Sequence, residues 1–174
     1  MTGTKTVEKG GIIDVMGIFG PNLNILGTRE PKIYGTDNMA DIMKNLQEQT
    51  VNFGRRIEMM QSNEEGAILT AIEKASDNTA LILFNLAACT YTSAGLRDAI
   101  AMFETPKVEV HLSNNDRREA SRRMSMTAGV SDGSIVGFGA DYFSLGPYAI
   151  HRTLLRKDSG REIYQSQEAV SGDF

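Results

Sequence analysis

Five short apolar runs, separated by segments of helical periodicity, limit the fold more than any other feature of this sequence. The runs are Ile12–Phe19, Ile57–Met60, Leu81–Phe84, Val108–His111 and Ser134–Val136. They are too short for helices and read as buried strands. Between them Met39, Ile42, Met43, Leu46 and Phe53 recur at helical spacing. So do Ile68, Leu69, Ile72 and Ala75, and then Leu96, Ala99, Ile100 and Phe103. Thr36 or Asp37 is placed to cap the first of these helices, and Gly54 to end it. Asp116–Met124 predicts a short helix presenting arginines. A last helix is expected to hold Ile150, Leu154 and Leu155, with Gly146-Pro147 either breaking it or marking its first turn. Strand and helix alternating in this way mean βαβ units, hence a parallel sheet covered on both faces.

The expected fold class is therefore α/β: a flavodoxin-like, doubly wound sheet of five parallel strands in a single domain. The 174 residues suit one domain, and a chain of this size can bury roughly 70% of its unfolded surface. A polar extension over residues 1–10, a domain over 11–156 and a polar tail over 157–174 are the expected boundaries. A net charge of −4 offers no footprint for nucleic acid or an anionic membrane. The single cysteine, Cys89, allows no internal disulfide and fits a reducing compartment. Met1–Gly11 lacks the apolar centre of a secretion signal, so a cytoplasmic location is expected.

In a doubly wound sheet the ligand lies beyond the carboxyl ends of the strands. There the first strand gives way to a loop, Gly20–Gly35, that is long for a strand-to-helix connection and so marks function. Its two amides, arginine, glutamate and tyrosine sit among glycines and prolines. No metal constellation accompanies it, because two histidines and one cysteine stand without ligand spacing. The lysine of a phosphate-cradling loop is absent, and Gly137-Phe138-Gly139 lacks the third glycine of a dinucleotide fingerprint. What remains is acid–base chemistry without a cofactor.

The loop, read as GPNLN-x-LG-x-REP-x-x-YG, resembles the active-site loop and lid of the type II dehydroquinases. Further matches follow in that family's order over about residues 11–145: Gln61-Ser62-Asn63, Asn85, Thr92-Ser93, Leu96-Arg97-Asp98-Ala99, Val108–Asn114, Arg118-Glu119, Arg122 and Gly137-Phe138-Gly139. The resemblance implies dehydration of 3-dehydroquinate to 3-dehydroshikimate through an enolate, without metal or cofactor, in the shikimate route or in the use of quinate.

By motif, Tyr34 would be the base and His111 the acid. Arg29 would stand by the phenol and Asn22 would hold a water at the oxyanion. A phenol ionises near neutral pH only with help worth about 4 kcal/mol. One cation about 4 Å away supplies roughly that much, and Arg29 is the nearest candidate in sequence. Glu109 would orient His111, and Glu30 would hold the lid. Asn85, Tyr91, Arg122, Leu112 and Ser113 would bind a cyclic hydroxy acid. Asp98 would reach a neighbouring site in a homo-oligomer of trimers gathered into a dodecamer.

The chain departs from the family where Asn-Pro-Gly-Ala-x-Thr-His-Thr-Ser becomes Asn85-Leu86-Ala87-Ala88-Cys89-Thr90-Tyr91-Thr92-Ser93. Phe19 stands for the asparagine before Gly-Pro. A tighter, more apolar pocket corner around Leu86, Cys89 and Tyr91 is therefore expected. The alternatives are a dehydratase for a related cyclic hydroxyketone, or a non-catalytic binding descendant of the fold.

Overall fold

Strand β1 spans Val15–Phe19, β2 Ile57–Gln61, β3 Ile82–Asn85, β4 Lys107–His111 and β5 Gly133–Val136. The computed structural model describes residues 14–75, 79–139 and 142–159. The polar extension, Ile12, Ile13 and most of the tail lie outside these. The strands are all parallel, in the order β2-β1-β3-β4-β5. That is the doubly wound, flavodoxin-like order, with its switch point between β1 and β3.

Side chains alternate across each strand, so one run of residues feeds two cores. Val15, Phe19, Leu83, Val108 and Val110 pack with Ile42 and Leu46 of α2 (Met39–Asn52) and with Ile150 and Leu154 of α5 (Tyr142–Asp158). Ile18, Ile82 and Phe84 face the other way. They meet Ile68 and Ile72 of α3 (Glu65–Ala75) and Leu96 and Ile100 of α4 (Ala94–Ala101). With Val108 and Val110 turned to the first core, Glu109 and His111 of β4 necessarily share the opposite face.

The helix caps differ from the expectation in one respect. Asn38, rather than Thr36 or Asp37, caps α2, its side chain accepting the Asp41 N–H at 3.0 Å. Gly54, at φ +72°, closes the helix. There the N–H of Arg55 returns to the carbonyl of Thr50, a Schellman arrangement. Pro147 neither breaks α5 nor starts it; the helix runs through it from Tyr142. Asp116–Met124 does not form one helix. It forms two single turns, Asn115–Arg117 and Ala120–Arg122, between which Arg118 is extended.

The long loop after β1 is folded rather than free. It contains a turn at Leu23–Ile25 and a four-residue helix, α1 (Pro31–Tyr34), with proline in the first turn. Leu23 and Leu26 anchor it in the first core. The N–H of Gly20 donates to the carbonyl of Asn85 at 2.8 Å. A Cβ on Gly20 would lie 2.4 Å from the Leu86 carbonyl oxygen. Only glycine admits this approach, which brings the ends of β1 and β3 together under the site.

Candidate active site

At the carboxyl ends of β3 and β4, α1 and the turns after β3 and β4 enclose a cleft. Arg29, Tyr34, Asn85, Tyr91, His111, Leu112, Ser113, Arg118 and Arg122 are among the residues that line it. The cleft is narrow and partly open to solvent. One wall is His111 on β4, with Glu109 behind it. His111 Nε2 lies 2.6 Å from Glu109 Oε1, with His111 6% and Glu109 1% exposed. Glu109 also receives the Ser125 hydroxyl at 2.8 Å. The second ring nitrogen of His111 is left for the cleft.

The opposite wall is Tyr34, at the end of α1. Its phenol oxygen accepts a hydrogen bond from Arg118 Nη1 at 2.9 Å. Arg29 lies against the ring, its guanidinium carbon 5.4 Å from the centroid. Its Nε points to Glu30 at 3.4 Å. The cation at the phenol oxygen is thus Arg118, not the Arg29 that sequence proximity suggested. The reason is geometric: one turn of helix separates Arg29 from Tyr34, which places it beside the ring, whereas the extended Arg118 crosses the cleft. The Tyr34 hydrogen bond holds the Arg118 guanidinium above its ordinary range.

Glu119 ties the arginines together, accepting from Arg118 Nε at 3.3 Å and Arg122 Nε at 2.6 Å. Its carboxyl is lowered to about 2 by its own backbone N–H and by Arg122. Arg122 lies over Tyr91, 5.8 Å from the ring centroid, and Tyr91 stacks on His111 at 6.3 Å. Burial is the main cause that pushes Tyr91 up to about 12, so it enters the cleft as a neutral phenol.

Asn22, Glu30 and Asp98, singled out from the sequence, stand away from this cleft's lining. Asn22 is exposed at its rim with a left-handed backbone (φ +64°), its N–H bonded to Asn63 Oδ1 at 2.9 Å. Gln61 donates to the same oxygen and to the Gly20 carbonyl, so Gln61-Ser62-Asn63 braces the Gly-Pro-Asn turn. Glu30 is exposed, and its carbonyl receives the N–H groups of Ile33 and Tyr34. Asp98 lies on the outside of α4 beside Arg97. Leu86 and Cys89 pack into the second core and do not line the cleft, so the apolar corner expected there reduces to Tyr91 and two alanines. Among the described residues no group of three His, Cys, Asp or Glu side chains could hold a metal ion. Nor is any of their helices long and apolar enough to cross a membrane.

Residues 13–151 match the family described as Dehydroquinase class II. The chain belongs to this family. It is 47% identical over 131 residues to the 3-dehydroquinate dehydratase of Jannaschia sp. (strain CCS1), covering 75% of this chain and 88% of that one. It is 46% identical over 136 residues to the enzyme of that name from Synechocystis sp., covering 78% and 90%. The crystal structure of type II dehydroquinase from Butyrivibrio crossotus superposes with a TM-score of 0.77 at 37% identity, over 81% of this chain and 99% of that one.

In this class II dehydroquinase the turn after β3 carries backbone strain. Ala87 adopts φ +52°, in the position the resembling motif gives to glycine. Its N–H bonds to the Asn85 side chain at 3.1 Å, which holds the turn. A left-handed alanine costs about 1–2 kcal/mol. Part of the relief from glycine is lost to its freer unfolded chain. Ala87→Gly is therefore expected to stabilise by about 1 kcal/mol and to raise Tm by roughly 2–4 °C in thermal denaturation.

Proposed function

We propose that this chain dehydrates 3-dehydroquinate to 3-dehydroshikimate, with Tyr34 as base and His111 as acid. One observation carries the reading: a phenol oxygen bonded to a guanidinium and a carboxylate-held imidazole face the same small cleft. A phenol that a neighbouring cation favours as phenolate can take a proton from the carbon next to a ketone and so become neutral. An imidazole whose Nε2 is held by Glu109 can deliver one to a departing hydroxyl. Asn22, braced at the rim with its side chain free, would hold a water at the enolate oxygen. Asn85 and Arg122 would take substrate hydroxyls. The N–H groups of Leu112 and Ser113, bonded to no other described residue, suit the carboxylate. Arg29 and Glu30 would act as the lid. The test is an absorbance assay for the conjugated product formed from 3-dehydroquinate.

Tyr91 favours a second reading, a related cyclic hydroxyketone as substrate. A phenol offers one hydroxyl where the family motif has an imidazole that can donate or accept. A lost or stranded hydrogen bond to a substrate hydroxyl costs about 1–3 kcal/mol. On this reading Tyr91→His raises kcat/KM for 3-dehydroquinate by about tenfold or more. A slower Tyr91→His enzyme shows instead that the phenol holds the usual substrate.

Family membership and the single cysteine support a cytoplasmic homo-oligomer, trimers gathered into a dodecamer, with the exposed Asp98 offered to a neighbour's cleft.

A further inference from the structure

Ser125 lies behind the β4 pair, in the chain that returns from the arginine turns towards β5. Its Oγ is 2.8 Å from Glu109 Oε1 and 3.1 Å from Oε2. The same oxygen accepts the backbone N–H of Thr127 at 3.2 Å and that of Ala128 at 2.9 Å. It also lies 3.2 Å from the Thr127 hydroxyl. A serine hydroxyl has two lone pairs and one hydrogen. The two N–H groups occupy the lone pairs, so the oxygen is left to donate. Of the acceptors in reach, the carboxylate is nearer and takes the stronger bond. The turn at Thr127-Ala128 therefore sets the polarity of Ser125: it gives its hydrogen to Glu109 and takes none back.

We propose that Ser125 is a positioning residue for the proton donor: by donating to Glu109 it keeps that carboxylate an acceptor towards His111 Nε2. The imidazole is thereby held in one orientation, with a hydrogen on Nε2 towards Glu109, and the proton it delivers is the one carried by its other nitrogen, towards the cleft. Without the hydroxyl, a carboxyl group that is 1% exposed loses a donor that water cannot replace. Glu109 is then free to rotate, and the imidazole with it. The remaining titratable or charged groups lining the cleft are Arg29 and Tyr34 from the loop after β1, Tyr91 from the turn after β3, and Arg118 and Arg122 from the segment after β4. None of them is hydrogen-bonded to Glu109. The sequence signal was a lone serine fourteen residues beyond His111, which no spacing argument singles out.

The inference rests on His111 being the acid of the proposed dehydration, so its test has one arm that needs turnover and one that does not. Ser125→Ala removes the hydroxyl. Ser125→Cys keeps the volume but offers a much weaker donor. Ser125→Thr retains the hydroxyl. In the first two, kcat on 3-dehydroquinate is expected to fall about tenfold with KM within about twofold, the size of one hydrogen bond to a charged group. Threonine is expected to restore most of kcat. Without substrate, the downfield proton resonance of the His111 Nε2–H bonded to Glu109 is expected in the wild type and displaced in the alanine and cysteine variants. If the alanine variant does not fold, the cysteine variant decides. An unmoved resonance with unchanged kcat in Ser125→Cys overturns the proposal, as does a loss seen only in Tm or KM. An inactive wild type with the expected resonances would overturn the dehydratase reading while leaving the Ser125 contact in place.

Discussion

Tyr34→Phe is expected to leave a folded protein with almost no turnover. The substitution removes one oxygen, half-buried at the end of α1 and bonded only to Arg118 among the described residues. Packing of the ring under Arg29 and into the first core is unchanged. The cost to stability is that of one partly solvated hydrogen bond, about 0.5–1.5 kcal/mol, or at most a few degrees in Tm. The cost to catalysis is of another order. The enolate forms only if something removes the proton beside the ketone, and a positioned base contributes roughly 10²–10⁴-fold. No other side chain of α1 lines the cleft. The expectation is kcat lower by about a thousandfold or more, measured by product absorbance, with circular dichroism and Tm close to the wild type. Activity within tenfold of wild type would remove Tyr34 from the mechanism. A collapse of Tm would mean that the loop depends on this hydroxyl for its fold.

The sheet was legible because its signal is local and repeated. Each strand is a short apolar run, each helix has its own 3.6-residue stripe, and their alternation leaves few topologies open. The motif residues of β3 and β4 were legible for a related reason: a strand end in such a sheet has a known destination. The family motif named Glu109 as the residue that would orient His111, and period-two geometry on β4 puts the two on one face. The reading failed where contacts are made by extended chain between turns. Arg118 was visible within the motif, yet it had no assigned role. It lies 84 residues from Tyr34, and no periodicity connects the two. Asn38 captured the cap of α2 from Thr36 and Asp37 because the helix starts later than the polar cluster suggests. Pro147 sits inside α5, where local chemistry argued for a break or a first turn. The packing of Ile150 and Leu154 against the first core outweighs the one hydrogen bond a proline deletes.

Arg118→Ala is expected to give the second-largest loss, and to separate two arginines that the loop sequence alone ranks the other way. Arg118 reaches the phenol oxygen with a hydrogen bond, whereas Arg29 faces the ring and leans on Glu30. A hydrogen-bonded cation next to oxygen favours phenolate over phenol. At an effective dielectric near 20 its attraction is worth about 4 kcal/mol at about 4 Å. The face of a ring offers a cation only about 0.5–2 kcal/mol and does less for the oxygen. Removing Arg118 also takes one of the two arginine partners of Glu119 and so loosens Arg122 over Tyr91. The expected result is a hundred- to thousandfold fall in kcat/KM at neutral pH, against about tenfold for Arg29→Ala. Arg118→Lys keeps the charge but not the planar donor fork, and is expected to recover part of the rate. A greater loss in Arg29→Ala than in Arg118→Ala would place the activating charge back in the lid.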